Sequence, residues 1–168
     1  RRSAMQAWYE HMPVRRAQMP GAHGLIMHRR LDYGRLMRMH VLDTRSYRSD
    51  QPCERPDDRH CRPAGRFDVT MLGAAQEAWL ADSLRGGAAW NLIAQQVFVM
   101  PVLRRMPDGQ VRTGAGDTWG GYPEARARLV KTITDLNLTN VVVASGDAHI
   151  HAVPAQFAQR AVTQPMSY

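Results

Sequence analysis

The first third of the chain carries an alternating pattern of apolar and polar positions. Within residues 25–33 the apolar side chains fall on one side of a period-two pattern, which is typical of a β-strand. Gly34 interrupts this pattern, and residues 36–42 resume an extended, apolar-rich run. Two extended segments separated by a glycine turn predict a β-hairpin. The polar, proline-containing stretch 49–67 predicts a loop.

Later segments alternate between helical and extended patterns. Apolar positions within 72–84 follow helical spacing and stop at the glycine pair 86–87, which predicts a helix. A second helix is predicted from Pro123, because proline suits the first helical position. Residues 90–100 are dense in β-forming side chains and predict a buried strand. The polar stretch 104–117 predicts an excursion without regular structure.

The run Val-Val-Val-Ala at 141–144 is the most informative segment. Its lack of polar alternation predicts a strand covered on both faces, and the order of helix then strand favours a layered α/β fold. Ligand sites in such folds lie beyond the carboxyl ends of strands, where Gly146, Asp147 and His149 follow. A carboxylate and an imidazole at this spacing suit a divalent or trivalent metal. The alternative is an ordinary strand-end turn with a solvated Asp147.

Composition is that of a globular protein, with 44% hydrophobic and 22% charged residues. The formal net charge is +7, but arginine supplies nearly all the positive charge and is scattered from Arg1 to Arg160. Nucleic-acid binding needs charge gathered on one face. The scattered charge therefore predicts no nucleic-acid partner, and the alternative is a non-catalytic basic module that binds phosphate or nucleic acid. No apolar run is long enough to predict a membrane span.

Two cysteines, Cys53 and Cys61, bracket a short polar loop that contains a proline. Such a loop suits closure by a disulfide, which places a protein in an oxidising compartment. The alternative is a metal clip formed by both cysteines and His60. His60 and Cys61 are adjacent, however, and this spacing fits no common zinc motif.

Six blocks of the sequence resemble the alkaline phosphatase D (PhoD-like) family, in order and over nearly the whole chain. They are YEHMPVR at 9–15, HVLDTRSYRSDQPC at 40–53, MLGAAQEAWL at 71–80, WNLIAQQVFVM at 90–100, DTWGGYPEARARL at 117–129 and NVVVASGDAHIHA at 140–152. The Leu-Asp-Thr-Arg and Gly-Asp-x-His signatures make the resemblance specific. It implies that residues 1–168 are part of a single PhoD-like metallophosphatase domain, without its N-terminal portion and some C-terminal sequence.

The resemblance implies an α/β fold of the calcineurin-like metallophosphoesterase kind, an incomplete sandwich of two β-sheets flanked by helices. It also implies metal-dependent hydrolysis of phosphate monoesters and diesters by a periplasmic or secreted enzyme, with calcium and iron as cofactors. Relatives carry further metal ligands in a segment that precedes the first block. We therefore expect this chain alone to bind metal poorly and to turn over little substrate.

By the same resemblance, Asp147 and His149 match the family's carboxyl-terminal metal-binding motif. Arg45 ends the Leu-Asp-Thr-Arg signature and is the candidate catalytic residue that clamps the phosphate, because a guanidinium makes paired charged hydrogen bonds to phosphoryl oxygens. A salt bridge from Arg45 to Asp43 or Asp50 is the alternative. Asp43 itself is expected to orient its neighbours.

Trp119 and Tyr122 are the remaining substrate-binding candidates. They occupy a block that usually reads Trp-Asp-Gly-Tyr in relatives, and Gly120 replaces the acid here. Purple acid phosphatases, another group of the same superfamily, use a histidine pair in the matching final motif. His149 and His151 keep that assignment open.

Overall fold

The computed structural model describes residues 2–21, 24–52, 69–105, 108–114 and 116–147. The helices in these ranges are α1 (Arg2–His11), α2 (Gly73–Ser83) and α3 (Pro123–Asp135), with 3-10 helices at Arg16–Gln18 and Trp119–Gly121. None of these helices is long and apolar enough to cross a membrane. The strands are β1 (Arg29–Tyr33), β2 (Met37–Val41), β3 (Trp90–Gln95), β4 (Val102–Arg105), β5 (Val111–Gly114) and β6 (Val141–Ser145). Cys53, Cys61 and His149 lie outside the described residues, so the disulfide and the imidazole ligand stay predictions.

Four strands form one sheet in the order β1-β2-β3-β6. β1 and β2 are the predicted antiparallel hairpin, and Gly34 in its turn has a φ of 58°, a conformation that glycine adopts at little cost. β2, β3 and β6 run parallel, and Val41, Ala94 and Ala144 lie side by side near their ends. The loops that follow these three strands therefore leave the same edge of the sheet.

The structure confirms the predicted helices, shortens one predicted strand and corrects the prediction for residues 104–117. α2 and α3 are present, and Pro123 begins α3 as expected. The strand predicted over 90–100 ends at Gln95. The prediction that 104–117 lacks regular structure is wrong, because β4 and β5 form an antiparallel hairpin across it, with Gly109 at a φ of 79°. Arginines and a threonine in these strands interrupt the apolar alternation on which strand prediction depends.

The core lies between the sheet and the helices α2 and α3. Ile93 on β3 is fully buried, and Val141 and Val143 on β6 pack against the same cluster. The helices contribute Leu80, Ala125, Leu129 and Ile133, and Leu84 follows the end of α2. Removal of these apolar side chains from water is the main favourable contribution to folding.

The opposite face of the sheet is apolar but much less covered. Val142 is 47% exposed and Trp90 is 51% exposed. Both point away from Ile93, because side chains alternate along a strand and Val143 pairs with Ile93. The prediction that the valine run is covered on both faces is therefore wrong for the described residues. Within the described residues β6 is the edge strand of the sheet, and the helices pack against its other face.

A neutral polar network is buried beneath β2. The side chain of His40 is fully buried, with Nδ1 3.0 Å from Ser83 Oγ on α2 and Nε2 3.1 Å from Asn91 Oδ1 on β3. Because an amide oxygen can only accept, Nε2 carries the proton and Nδ1 accepts from the serine hydroxyl. Burial lowers the pKa of His40, although the hydrogen bond to Asn91 opposes this shift. The network joins a helix to two strands without using a charge.

Candidate active site

Two glutamine side chains hold the loop that follows β2. Gln76 on α2 accepts from the backbone N–H of Asp43 at 2.8 Å and donates to the carbonyl of Asp43 at 2.9 Å. Gln96, just after β3, accepts from Thr44 N at 2.8 Å and donates to Leu42 O at 2.7 Å. Each side-chain amide pairs with backbone groups that, in the described part of the chain, have no neighbouring strand to bond to. Such groups cost free energy when they are buried without a partner.

Asp43 shapes the turn that presents Arg45. Its Oδ1 accepts from the backbone N–H of Arg45 at 3.0 Å and from that of Ser46 at 2.8 Å, which is how aspartate stabilises a turn. The side chain is 5% exposed, and its Oδ2 is buried without a hydrogen-bond partner in the described part of the chain. Asp43 thus orients its neighbours, as its place in the signature suggested.

The guanidinium of Arg45 lies between two carboxylates. Its Nη1 is 3.2 Å from Asp117 Oδ2, and its Nη2 is 3.2 Å from Asp147 Oδ2. These partners differ from Asp43 and Asp50, the alternatives that the sequence suggested. The side chain of Arg45 is 42% exposed, and those of Asp117 and Asp147 are 39% and 55% exposed. Ion pairs this exposed contribute at most about 1 kcal/mol each, so they can open to admit a ligand.

Asp147 lies immediately beyond the carboxyl end of β6, where the sequence pattern placed it. Its φ of 67° falls in the left-handed region, which aspartate tolerates better than most residues. The resulting turn brings the carboxylate to Arg45 at the edge of the sheet. The structure therefore brings a predicted phosphate clamp and a predicted metal ligand into direct contact.

Asp117 is held by its backbone carbonyl and by the contacts of the two residues that follow it. Its backbone carbonyl accepts from Arg48 Nη1 at 2.8 Å. Two residues later, the backbone N–H of Trp119 donates to Phe98 O at 3.2 Å, and the Thr118 side chain caps the 3-10 helix. Sequence reasoning did not single out Asp117, although it begins one of the six blocks that carry the family resemblance. No periodicity or spacing connected it to Arg45.

Trp119 and Tyr122 lie beneath the loops of the site. They are 1% and 0% exposed. The indole Nε1 donates to Gln95 Oε1 at 3.1 Å, and the Tyr122 hydroxyl donates to Ser49 O at 2.7 Å. Both rings support the surrounding loops in this structure, and their contact with substrate stays a prediction.

Asp147 is the one predicted metal ligand that lies within the described residues. Within them, no group of three or more His, Cys, Asp or Glu side chains is arranged to hold an ion. Asp147 offers exposed carboxylate oxygens of the kind that calcium and iron accept. Its predicted companion His149 lies outside the described residues. Asp147 thus fits as one ligand of a set that is incomplete in this part of the chain.

Comparison with known proteins bears on this arrangement. Residues 1–165 match the model of the family described as PhoD-like phosphatase. Alkaline phosphatase D of Bacillus subtilis (strain 168) is 39% identical over 158 residues, which cover 89% of this chain and 25% of the Bacillus enzyme. A solved structure of PhoD matches with a TM-score of 0.73 and 37% identity, over 88% of this chain and 28% of that one.

The similarity includes the fold, but it covers only part of the length of each relative. The chain spans about a quarter of the length of the relatives described above. Its mixed α/β arrangement around a four-stranded sheet corresponds to part of the PhoD structure, as an incomplete version of that fold. The resemblance carried by the six sequence blocks is therefore confirmed, and the chain belongs to the PhoD-like phosphatase family.

Proposed function

We propose that this chain contributes the phosphate-binding part of an active site for metal-dependent hydrolysis of phosphate esters. Membership of a phosphatase family supports the reaction class. The observation that carries the proposal is the contact of 3.2 Å between Arg45 Nη2 and Asp147 Oδ2, at the edge where parallel strands end. A fixed cation beside a metal-binding acid suits the charge that develops in phosphoryl transfer.

Arg45 binds and orients the phosphoryl group in this proposal. A guanidinium presents its N–H donors in a planar fork that matches phosphoryl oxygens. Asp43 fixes the backbone of Arg45, and Gln76 and Gln96 fix the loop around it. A phosphoryl oxygen takes the place of Asp147 Oδ2 at Nη2. The exchange replaces an exposed ion pair of small energy with a charge-assisted contact to the phosphoryl group.

Asp147 and His149 are proposed as metal ligands, with calcium and iron as the ions. A carboxylate suits both ions, and an imidazole suits iron. Such ions, when bound, polarise phosphoryl oxygens and lower the pKa of a coordinated water. The other ligands are proposed to come from outside residues 1–168, so the isolated chain should hydrolyse little or no substrate.

A phosphate-ester substrate and an exported location are proposed from the family resemblance, and the net charge and the cysteine pair are consistent with them. The formal net charge of +7 favours anionic substrates, and we include both phosphomonoesters and phosphodiesters. A disulfide between Cys53 and Cys61 would fit an exported, periplasmic or secreted enzyme.

The test uses a chimera in which this chain replaces the matching segment of alkaline phosphatase D from Bacillus subtilis. We expect the chimera to hydrolyse p-nitrophenyl phosphate with calcium and iron. Arg45→Ala should lower kcat/KM about 100-fold, and Asp147→Asn should lower both bound metal and kcat. Asp135→Asn is the matched control, because this exposed acid on α3 pairs with Lys131 away from the site. Full activity of both site variants would contradict the proposal.

The isolated chain supplies a second readout. Robust turnover by the chain alone would refute the need for further ligands. Salt-dependent binding of random DNA without metal would instead support a non-catalytic basic module.

A further inference from the structure

Asp117 and Asp147 contact different nitrogens of one guanidinium, that of Arg45. We propose that Asp117 is a positioning residue: its carboxylate holds Nη1 of Arg45, so that Nη2 stays directed at the phosphoryl group when Asp147 is engaged elsewhere. This inference rests on the function proposed above. It extends that function to a residue that the sequence patterns did not identify.

Among the described residues, Asp117 is more firmly held than Asp147. Its carbonyl accepts from Arg48 and its carboxylate accepts from Arg45. Two side chains of one loop therefore donate hydrogen bonds to the same residue. The neighbouring Trp119 is buried and anchors the segment. Asp147 is the more exposed acid, at 55% against 39% for Asp117. Asp117 is therefore the better anchor for a side chain that must keep its direction.

Asp147 cannot hold Arg45 in the same way once its carboxylate binds a metal ion. The cation competes with the guanidinium for the carboxylate oxygens and repels its charge. Without Asp117, Arg45 would then be a long exposed side chain that must be ordered each time a substrate binds, which lowers affinity. With Asp117, one guanidinium nitrogen is already fixed before substrate arrives.

Simple electrostatics predicts the opposite effect for the loss of this acid. The Asp117 carboxylate lies 3.2 Å from the guanidinium that is proposed to bind an anion. If charge alone decides, removal of this negative group strengthens the binding of phosphate. If positioning decides, the same removal weakens it. The direction of the change therefore separates the two roles.

The first test uses the 168-residue chain itself and needs no activity. NMR of the arginine side-chain nitrogens reports how fast each guanidinium rotates about its Cζ–Nε bond. Asp117→Asn should speed this rotation at Arg45, whereas Asp147→Asn should leave most of the restriction and Asp135→Asn should change nothing. Equal rotation rates in the unsubstituted chain and in Asp117→Asn would overturn the proposal.

The second test measures binding and turnover in the chimera. Asp117→Asn should raise KM for p-nitrophenyl phosphate and Ki for inorganic phosphate about tenfold, with kcat changed less than about threefold. Bound metal should be unchanged, and Asp117→Glu should restore part of the loss because it keeps the charge. Unchanged or tighter phosphate binding in Asp117→Asn would overturn the proposal. An unsubstituted chimera without hydrolysis would count against the proposed function instead, and the NMR measurement would still decide the role of Asp117.

Discussion

Two polar networks are connected to strand β2, and they differ in burial and in charge. His40 within the strand is fully buried and joins α2 to β3 through hydrogen bonds between neutral groups. Arg45, just beyond the strand, is 42% exposed and joins Asp117 and Asp147 through ion pairs. The first network satisfies its groups inside the protein, whereas the second presents charged groups to solvent.

This difference separates residues that maintain the fold from residues suited to chemistry. Buried polar groups cost free energy whenever a partner is lost, so a satisfied neutral network stabilises one arrangement. Exposed ion pairs contribute little to stability and can exchange a carboxylate for a phosphoryl oxygen. Substitutions in the first network should therefore change the free energy of unfolding, and substitutions in the second should change activity.

Removal of the His40 ring should have the largest effect on stability. His40→Ala leaves Ser83 and Asn91 without their partner and opens a cavity, which should lower the free energy of unfolding by about 3 kcal/mol. Urea denaturation of the chain measures this loss. The chimera should keep its kcat at a temperature where the variant is folded. A loss below about 1 kcal/mol would show that the network is not a structural one.

Replacement of Gln76 should lower both the free energy of unfolding and the activity. Gln76→Leu leaves the backbone N–H and carbonyl of Asp43 unpaired, which should cost about 2 kcal/mol. Because the same contacts set the turn before Arg45, kcat/KM of the chimera should also fall. The matched control is Gln6→Leu, an exposed position on α1 that pairs with Glu10. Equal effects at the two positions would show that the loop does not depend on Gln76.

Acid should weaken the first network without removing it. Burial lowers the folded-state pKa of His40 below that of the unfolded chain, so the unfolded state binds more protons between the two values. The contribution of His40 to the free energy of unfolding should be fully present above about pH 6.5. It should be lost as the pH falls toward the folded-state pKa. His28, whose pKa is also lowered by burial, contributes in the same direction.

The variant His40→Asn tests this assignment. It should reduce the dependence of unfolding free energy on pH between about pH 7 and pH 5, while the His28 contribution remains. Chemical denaturation at several pH values measures the slope. The same slope in the variant and in the unsubstituted chain would assign the acid sensitivity to other groups.

The smallest change in stability is expected at Arg45. Arg45→Ala removes two exposed ion pairs and should alter the free energy of unfolding by less than about 1 kcal/mol. The same substitution should give the large loss of kcat/KM described above. A destabilisation as large as that of His40→Ala would remove the distinction between the two networks.

Sequence reasoning succeeded where a local pattern determines the structure. The hairpin, α2, α3 and the position of Asp147 after a strand each follow from periodicity or from turn residues. The partners of Arg45 could not be found this way, because Asp117 and Asp147 are 72 and 102 residues away in sequence. In the sequence, Gln76 also looks like any polar residue of a helix, so its pairing with the backbone of Asp43 could not be predicted. Likewise, a run of valines reads the same whether one face or both faces are covered.

A crystal structure of the chimera with bound metal and vanadate tests the central claim most directly. The account predicts that Arg45 Nη2 lies within about 3 Å of a vanadate oxygen, that Asp147 ligates a metal ion, and that Asp117 still holds Nη1. Vanadate bound away from Arg45, with the contact between Arg45 and Asp147 intact, would contradict it.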